Sequence, residues 1–116
     1  MEKREYKKIT IRQALNIDFI MLPKLLFTKE FSKLSADAKI LYGFLLDRTR
    51  LSIANNWVED NYVYIYFTQK ETMELLNCWQ KKVKKVFDEL QSFGLIEVKV
   101  VGRNLPNKIF VKLLEV

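Results

Sequence analysis

A chain of 116 residues, 49 % of them hydrophobic, is long enough to bury one core without disulfides or metals, and a second domain is not expected. A formal net charge of +6 and a sequence pI of about 9.4 favour anionic partners, nucleic acid foremost. The single cysteine excludes an internal disulfide framework, and the lack of any histidine removes the commonest metal ligand and the commonest general base together.

Residues 1–8, MEKREYKK, read as a basic, mobile tail that is either solvated or in touch with a phosphate backbone through Lys3, Arg4, Lys7 and Lys8. No secretory pattern is visible there, and the most apolar run, residues 17–27, is too short to span a bilayer of about 30 Å and carries Asp18, Pro23 and Lys24. A cytoplasmic location and no membrane partner are expected. A single domain is expected over residues 9–116. Residues 9–34 are a candidate dimerisation segment; over residues 8–27 apolar residues lack clean helical spacing and Pro23 biases Leu22 toward an extended form, so an extended segment with a short helical turn is predicted. Its large side chains, Phe19, Met21 and Leu22 among them, either form a dimerisation surface or cover the core of their own subunit.

Ser35 as N-cap, Asp37 in the positive first turn and the stripe Leu34, Ala38, Leu41 and Leu45 predict a helix to about Ile53. Tyr42, Phe44 and Leu46 widen the stripe. Asn55 and Asn56 end it, residues 56–61 read as loop, and Trp57 is expected to fold back on the core. Residues 62–67, YVYIYF, predict a strand. Thr68-Gln69-Lys70-Glu71 then has capping-box spacing for a helix that ends at Leu76, with Asn77 suited to a left-handed turn. A second helix follows to Phe93, stopped by Gly94. Val83, Val86, Phe87 and Leu90 share one of its faces, while Lys81, Lys84, Lys85 and Asp88 point away. Residues 95–101 and 107–114 alternate apolar and polar around the basic tip 102–106, a hairpin. This order predicts an α+β, mainly α fold: a winged helix-turn-helix with a C-terminal β-hairpin wing and an extended N-terminal segment.

The pattern resembles the N-terminal domain of RepA_N-type plasmid replication initiators. The resemblance runs from about Phe19 to Val111 and is most specific at Leu22-Pro23-Lys24, Leu45-Leu46-Asp47-Arg48, Leu51-Ser52, Asn56-Trp57 and Leu105-Pro106-Asn107-Lys108. It implies a DNA-binding domain, usually dimeric, that recognises repeats at the origin of low-copy plasmids in Gram-positive bacteria. Family initiators carry a further C-terminal domain, so the chain is expected to be a fragment or a shortened relative. Two positions depart from the pattern. Trp79 stands where a small hydroxyl residue would cap the second helix, leaving the cap to Asn77, water or a DNA phosphate. At Asp60-Asn61, where a turn glycine is common, Asn61 can take a positive φ.

In a helix-turn-helix the N-terminal half of the second helix reads base edges and other elements hold phosphates. Gln80 and Lys81 are the expected base readers. Trp79 either presses on a sugar or thymine methyl, or packs on the preceding helix. Lys84 and Lys85, then Lys82, Lys70, Lys99 and Lys108, are expected phosphate contacts, and Asp88 and Glu89 limit the basic face downstream. Arg103, with Asn104 beside it at the wing tip, is expected to enter a minor groove. Cys78 reads as a small hydrophobe buried in the turn. Asp88-Glu89 and Glu59-Asp60 have no companion base, cleft or glycine-rich loop, so no catalysis, metal, cofactor or small-molecule substrate is expected. The expected partners are double-stranded DNA and a second copy of the chain. Two other readings remain: a winged-helix transcriptional repressor, and a winged helix for protein assembly that binds no DNA.

Overall fold

The structure, a computed structural model, describes residues 5–113. Lys3 and Arg4 of the tail and Leu114 of the last predicted strand lie outside the described residues. The chain begins with a short helix, α1 (Ile11–Leu15), closed at its start by a capping box between Thr10 and Gln13. None of its residues is buried, so α1 stands off the rest of the protein.

The chain then crosses the domain surface in extended form. Gly43 of the next helix permits this, because a Cβ there would run into Leu22 and lie 3.1 Å from Ile20 Cδ1. Ile20 therefore faces inward while Phe19 and Met21 stay 67 % and 68 % exposed, and Leu22 is 37 % exposed. Two 3-10 turns, Lys24–Phe27 and Lys29–Phe31, insert Leu26 and Phe31 into the core. The expected single helical turn is thus three pieces, since Pro23 ends the extended run and Thr28 separates the two 3-10 turns.

The central helix, α2 (Ala36–Ala54), starts where predicted: the Ser35 hydroxyl accepts the Ala38 N–H, and Ala38, Leu41, Tyr42 and Leu45 are buried. The next segment corrects the sequence reading. Residues 56–61 are not all loop, and 62–67 is not one strand. Asp60 and Asn61, with φ of 51° and 72°, make a tight two-residue turn that pairs β1 (Val58–Glu59) with β2 (Tyr62–Val63). Beyond Val63 the backbone finds other partners. The Tyr64 N–H donates to the Trp57 carbonyl, the Tyr66 carbonyl accepts from Arg48, and only Ile65 bridges to Ile109. Trp57 does fold back, half-buried, with its ring edge-on to Tyr66.

Then come α3 (Gln69–Leu76), α4 (Gln80–Ser92) and the antiparallel pair β3 (Ile96–Lys99) and β4 (Lys108–Val111). Ile96 faces Val111 and Lys99 faces Lys108, so the lysine pair is the one nearest the tip. Gly94, at φ 74°, reverses the chain between α4 and β3. The core lies where α2, α4 and the hairpin meet, built from Leu41, Leu45, Ile65, Val86, Leu90 and Ile109. The Tyr42 hydroxyl donates to the Lys112 carbonyl and ties the last described residues to α2; burial pushes its phenol pKa up. The architecture is a winged helix-turn-helix, as the sequence predicted. Among the described residues no helix is long and apolar enough to cross a membrane.

Candidate nucleic-acid interface

The interface is positioned from α3. The Thr68 hydroxyl accepts the Glu71 N–H at 3.0 Å, and the Glu71 carboxylate accepts the Thr68 N–H at 3.2 Å, closing the capping box. Arg48 of α2 fastens this end from outside. Its guanidinium donates to Tyr66 O at 3.1 Å and to Glu71 Oε2 at 2.6 Å, and lies 4.8 Å from the Phe67 ring centre. Partial burial raises the Glu71 pKa, but the bonds from Arg48 and Thr68 outweigh it and leave the carboxyl below its usual range.

Asn77 takes the left-handed conformation, φ 51°, and turns the chain into α4. Cys78 in the turn is half-buried, less enclosed than the sequence suggested. Trp79 is the N-cap of α4, its side chain makes no capping bond, and 82 % of its surface is exposed. It does not pack on α3.

Val83, Val86 and Leu90 bury one face of α4, leaving Gln80, Lys81, Lys84 and Lys85 exposed together on the other. Lys84 reaches Asp88 at 3.0 Å in an exposed pair one turn apart, which costs little to break. The remaining lysines divide. Lys70 on α3 is exposed. Lys82 turns back to Asp37 at 2.6 Å, and that hydrogen bond raises its pKa. Glu89 lines the same groove as Lys81, Lys85 and Asp88, but its oxygens accept from the N–H and the hydroxyl of Ser35, each at 2.9 Å, so part of its charge is engaged at the start of α2.

An open cleft of about 480 Å³ separates α4 from the wing, with Val83, Lys84 and Phe87 on one wall and Leu105, Pro106 and Asn107 on the other. The wing tip exposes Arg103 and Asn104, the latter at φ 63°, and Arg103 pairs with no carboxylate among the described residues. Below the tip, Lys99 and Lys108 both reach Glu59 of β1, at 3.0 and 3.4 Å. The Lys99 hydrogen bond, opposed by desolvation and reinforced by Lys108, holds the Glu59 carboxyl below its usual range. Of the expected dimerisation residues, Met21 and Leu22 line a groove with Leu46, Asp47 and Arg50 of α2, and Phe19 is exposed in the extended segment before them.

Sequence reading missed Arg48, Asp37 and Glu59 as partners of the interface. They bond groups 23, 45, 40 and 49 residues away, beyond the reach of local periodicity. The one available signal was Arg48, which falls in one of the blocks that carried the family resemblance.

A family model described as the N-terminus of replication initiator protein A (RepA) matches residues 18–116. The chain belongs to the RepA_N family. A curated relative of this RepA_N chain, a "41 kDa protein" of Lactobacillus helveticus, is 33 % identical over 116 aligned positions, 93 % of this chain and 32 % of the relative. The chain thus spans about a third of that relative's length. Two solved structures superpose with a TM-score of 0.77 at 32 % identity. One, described as the N-terminal domain of a DNA binding protein, matches over 97 % of this chain and 87 % of its own; the other, a Rep–DNA complex, over 95 % and 86 %. A third, described as an MDR initiator, has a TM-score of 0.74 at 31 % identity over 95 % and 88 %.

Proposed function

We propose that this domain binds double-stranded DNA sequence-specifically, at repeats within a replication origin, as the N-terminal part of a plasmid replication initiator. The observation that carries the reading is the exposed face of Gln80, Lys81, Lys84 and Lys85 on α4, set beside a wing whose Arg103 pairs with no carboxylate among the described residues. The likeness to a solved Rep–DNA complex supports it. α4 enters the major groove, where Gln80 and Lys81 read base edges and Trp79 makes apolar contact with a sugar or a thymine methyl. Lys84, Lys85 and Lys70 hold phosphates. Lys82, Lys99 and Lys108 contribute once their carboxylate partners give way. Arg103 and Asn104 meet the adjacent minor groove. Binding and assembly, without catalysis, carry the function.

The reading includes a homodimer joined through the N-terminal segment. α1 is capped yet buries nothing, and Phe19 and Met21 stand exposed, as a segment awaiting a second copy would.

The test is a salt titration on duplexes carrying origin repeats and on scrambled duplexes. Log affinity should fall with log salt by about 0.9 per neutralised phosphate, with tighter binding to the repeats. No duplex binding at low salt would overturn the reading in favour of an assembly module. Preference for a lone promoter palindrome would favour a repressor.

A further inference from the structure

Lys99 and Lys108 face each other across β3 and β4, and like charges directly opposed on neighbouring strands repel. Both ammonium groups nevertheless converge. Lys99 Nζ is 3.0 Å from Glu59 Oε2 and Lys108 Nζ is 3.4 Å from Glu59 Oε1. Two lysines closing on the oxygens of one anion form the contact set of a phosphate-binding site. The site is also held in shape. Lys108 is largely covered and its ammonium sits 4.5 Å over the Tyr64 ring, while Glu59 is presented by the β1–β2 hairpin opposite Tyr62. It lies on the wing directly below the tip that carries Arg103.

We propose that the Lys99–Lys108 pair is a DNA-phosphate site of the wing, occupied in the free protein by Glu59, which a phosphate must displace for the wing to engage. Glu59 thereby attenuates affinity for any duplex. This rests on the DNA-binding reading above and adds to it a residue that weakens binding. No chemistry beyond ion exchange is involved: one anion leaves the two ammonium groups as another arrives.

The test compares the full chain with Glu59→Gln on a duplex of unrelated sequence across a salt series. Glu59→Gln should bind more tightly at every salt concentration, with a log–log slope close to the parent's, because the same phosphates are neutralised once Glu59 has given way. In a Lys99→Ala/Lys108→Ala background the same substitution should gain much less affinity. Unchanged or weaker affinity in a Glu59→Gln protein that melts like the parent would overturn the inference and leave Glu59 as a brace. Independently of any variant, the carboxyl carbon resonance of Glu59 should move when the unaltered protein is saturated with duplex, and an unmoved resonance would also overturn it. If the unaltered protein binds no duplex, the DNA-binding reading falls with it. If it binds and these signatures are missing, only the displacement fails.

Discussion

The Arg48 guanidinium, from the second half of α2, meets Glu71 Oε2 at 2.6 Å while Glu71 is still closing the capping box of α3 with Thr68. One carboxylate thus serves both the start of α3 and its attachment to the central helix. Arg48→Ala should cost about 1 to 2 kcal/mol of stability. It leaves the Tyr66 carbonyl and part of Glu71 unbonded, while the exposure of Glu71 keeps the loss at the lower end for a charged hydrogen bond. The Glu71 pKa is depressed in the folded state, so its contribution is present above the unfolded carboxyl pKa and is lost as pH falls through the folded value. Denaturant melts of the parent from neutral pH into the acid range should lose stability there, and Arg48→Ala should show a smaller loss. Parallel pH curves would refute the assignment.

On α4 the two kinds of contact separate by their salt dependence. Lys84→Ala and Lys85→Ala should each weaken binding to every duplex and reduce the salt slope by about one. Gln80→Ala should lose about 1 to 3 kcal/mol on the cognate repeat and little on scrambled DNA. Equal losses on all sequences would remove Gln80 from base reading.

Arg103 is exposed and pairs with no carboxylate among the described residues, so Arg103→Ala should leave the melting temperature unchanged and weaken DNA binding. If Arg103 enters a minor groove, the loss should be larger on sites whose flanking step is A·T-rich than on G·C-rich flanks. Binding indifferent to the flank would place Arg103 on the phosphates or off the DNA.

At the other end of the domain, Phe19→Ser combined with Met21→Ser should convert a dimer to a monomer in sedimentation experiments without unfolding the domain. Both side chains are about two-thirds exposed, so their loss removes little of their own subunit's packing. A parent chain that sediments as a monomer at high concentration would end the dimer proposal.

Gly94 offers a test of the turn itself. Nothing lies within 4 Å of a Cβ placed there, so Gly94→Ala should cost only the left-handed backbone penalty, about 1 to 2 kcal/mol by denaturant melt. A larger loss would mean that β3 has shifted.

Read alone, the sequence determined α2, α3 and α4, the turn between the last two and the C-terminal hairpin, but not α1 or the β1–β2 pair. Their signals are local: Ser35 and Thr68 as caps, the i, i+3, i+4, i+7 stripe on α4, Asn77 and Gly94 at positive φ. Each lies within a few residues of what it controls, as capping and periodicity require. The aromatic run 62–67 misled for the same reason in reverse. β propensity favours extended backbone but does not choose its partner, and here the partners were Trp57, Arg48 and Ile109. The lysines show the limit most sharply. All of them are equal as letters on a basic face, yet only the tertiary structure separates Lys81 and Lys85, which make no ion pair among the described residues, from Lys82, Lys99 and Lys108, which are held by Asp37 and Glu59. A charge's availability depends on which opposite charge the fold brings within a few ångströms, and that is a property of long-range packing, not of the neighbouring sequence.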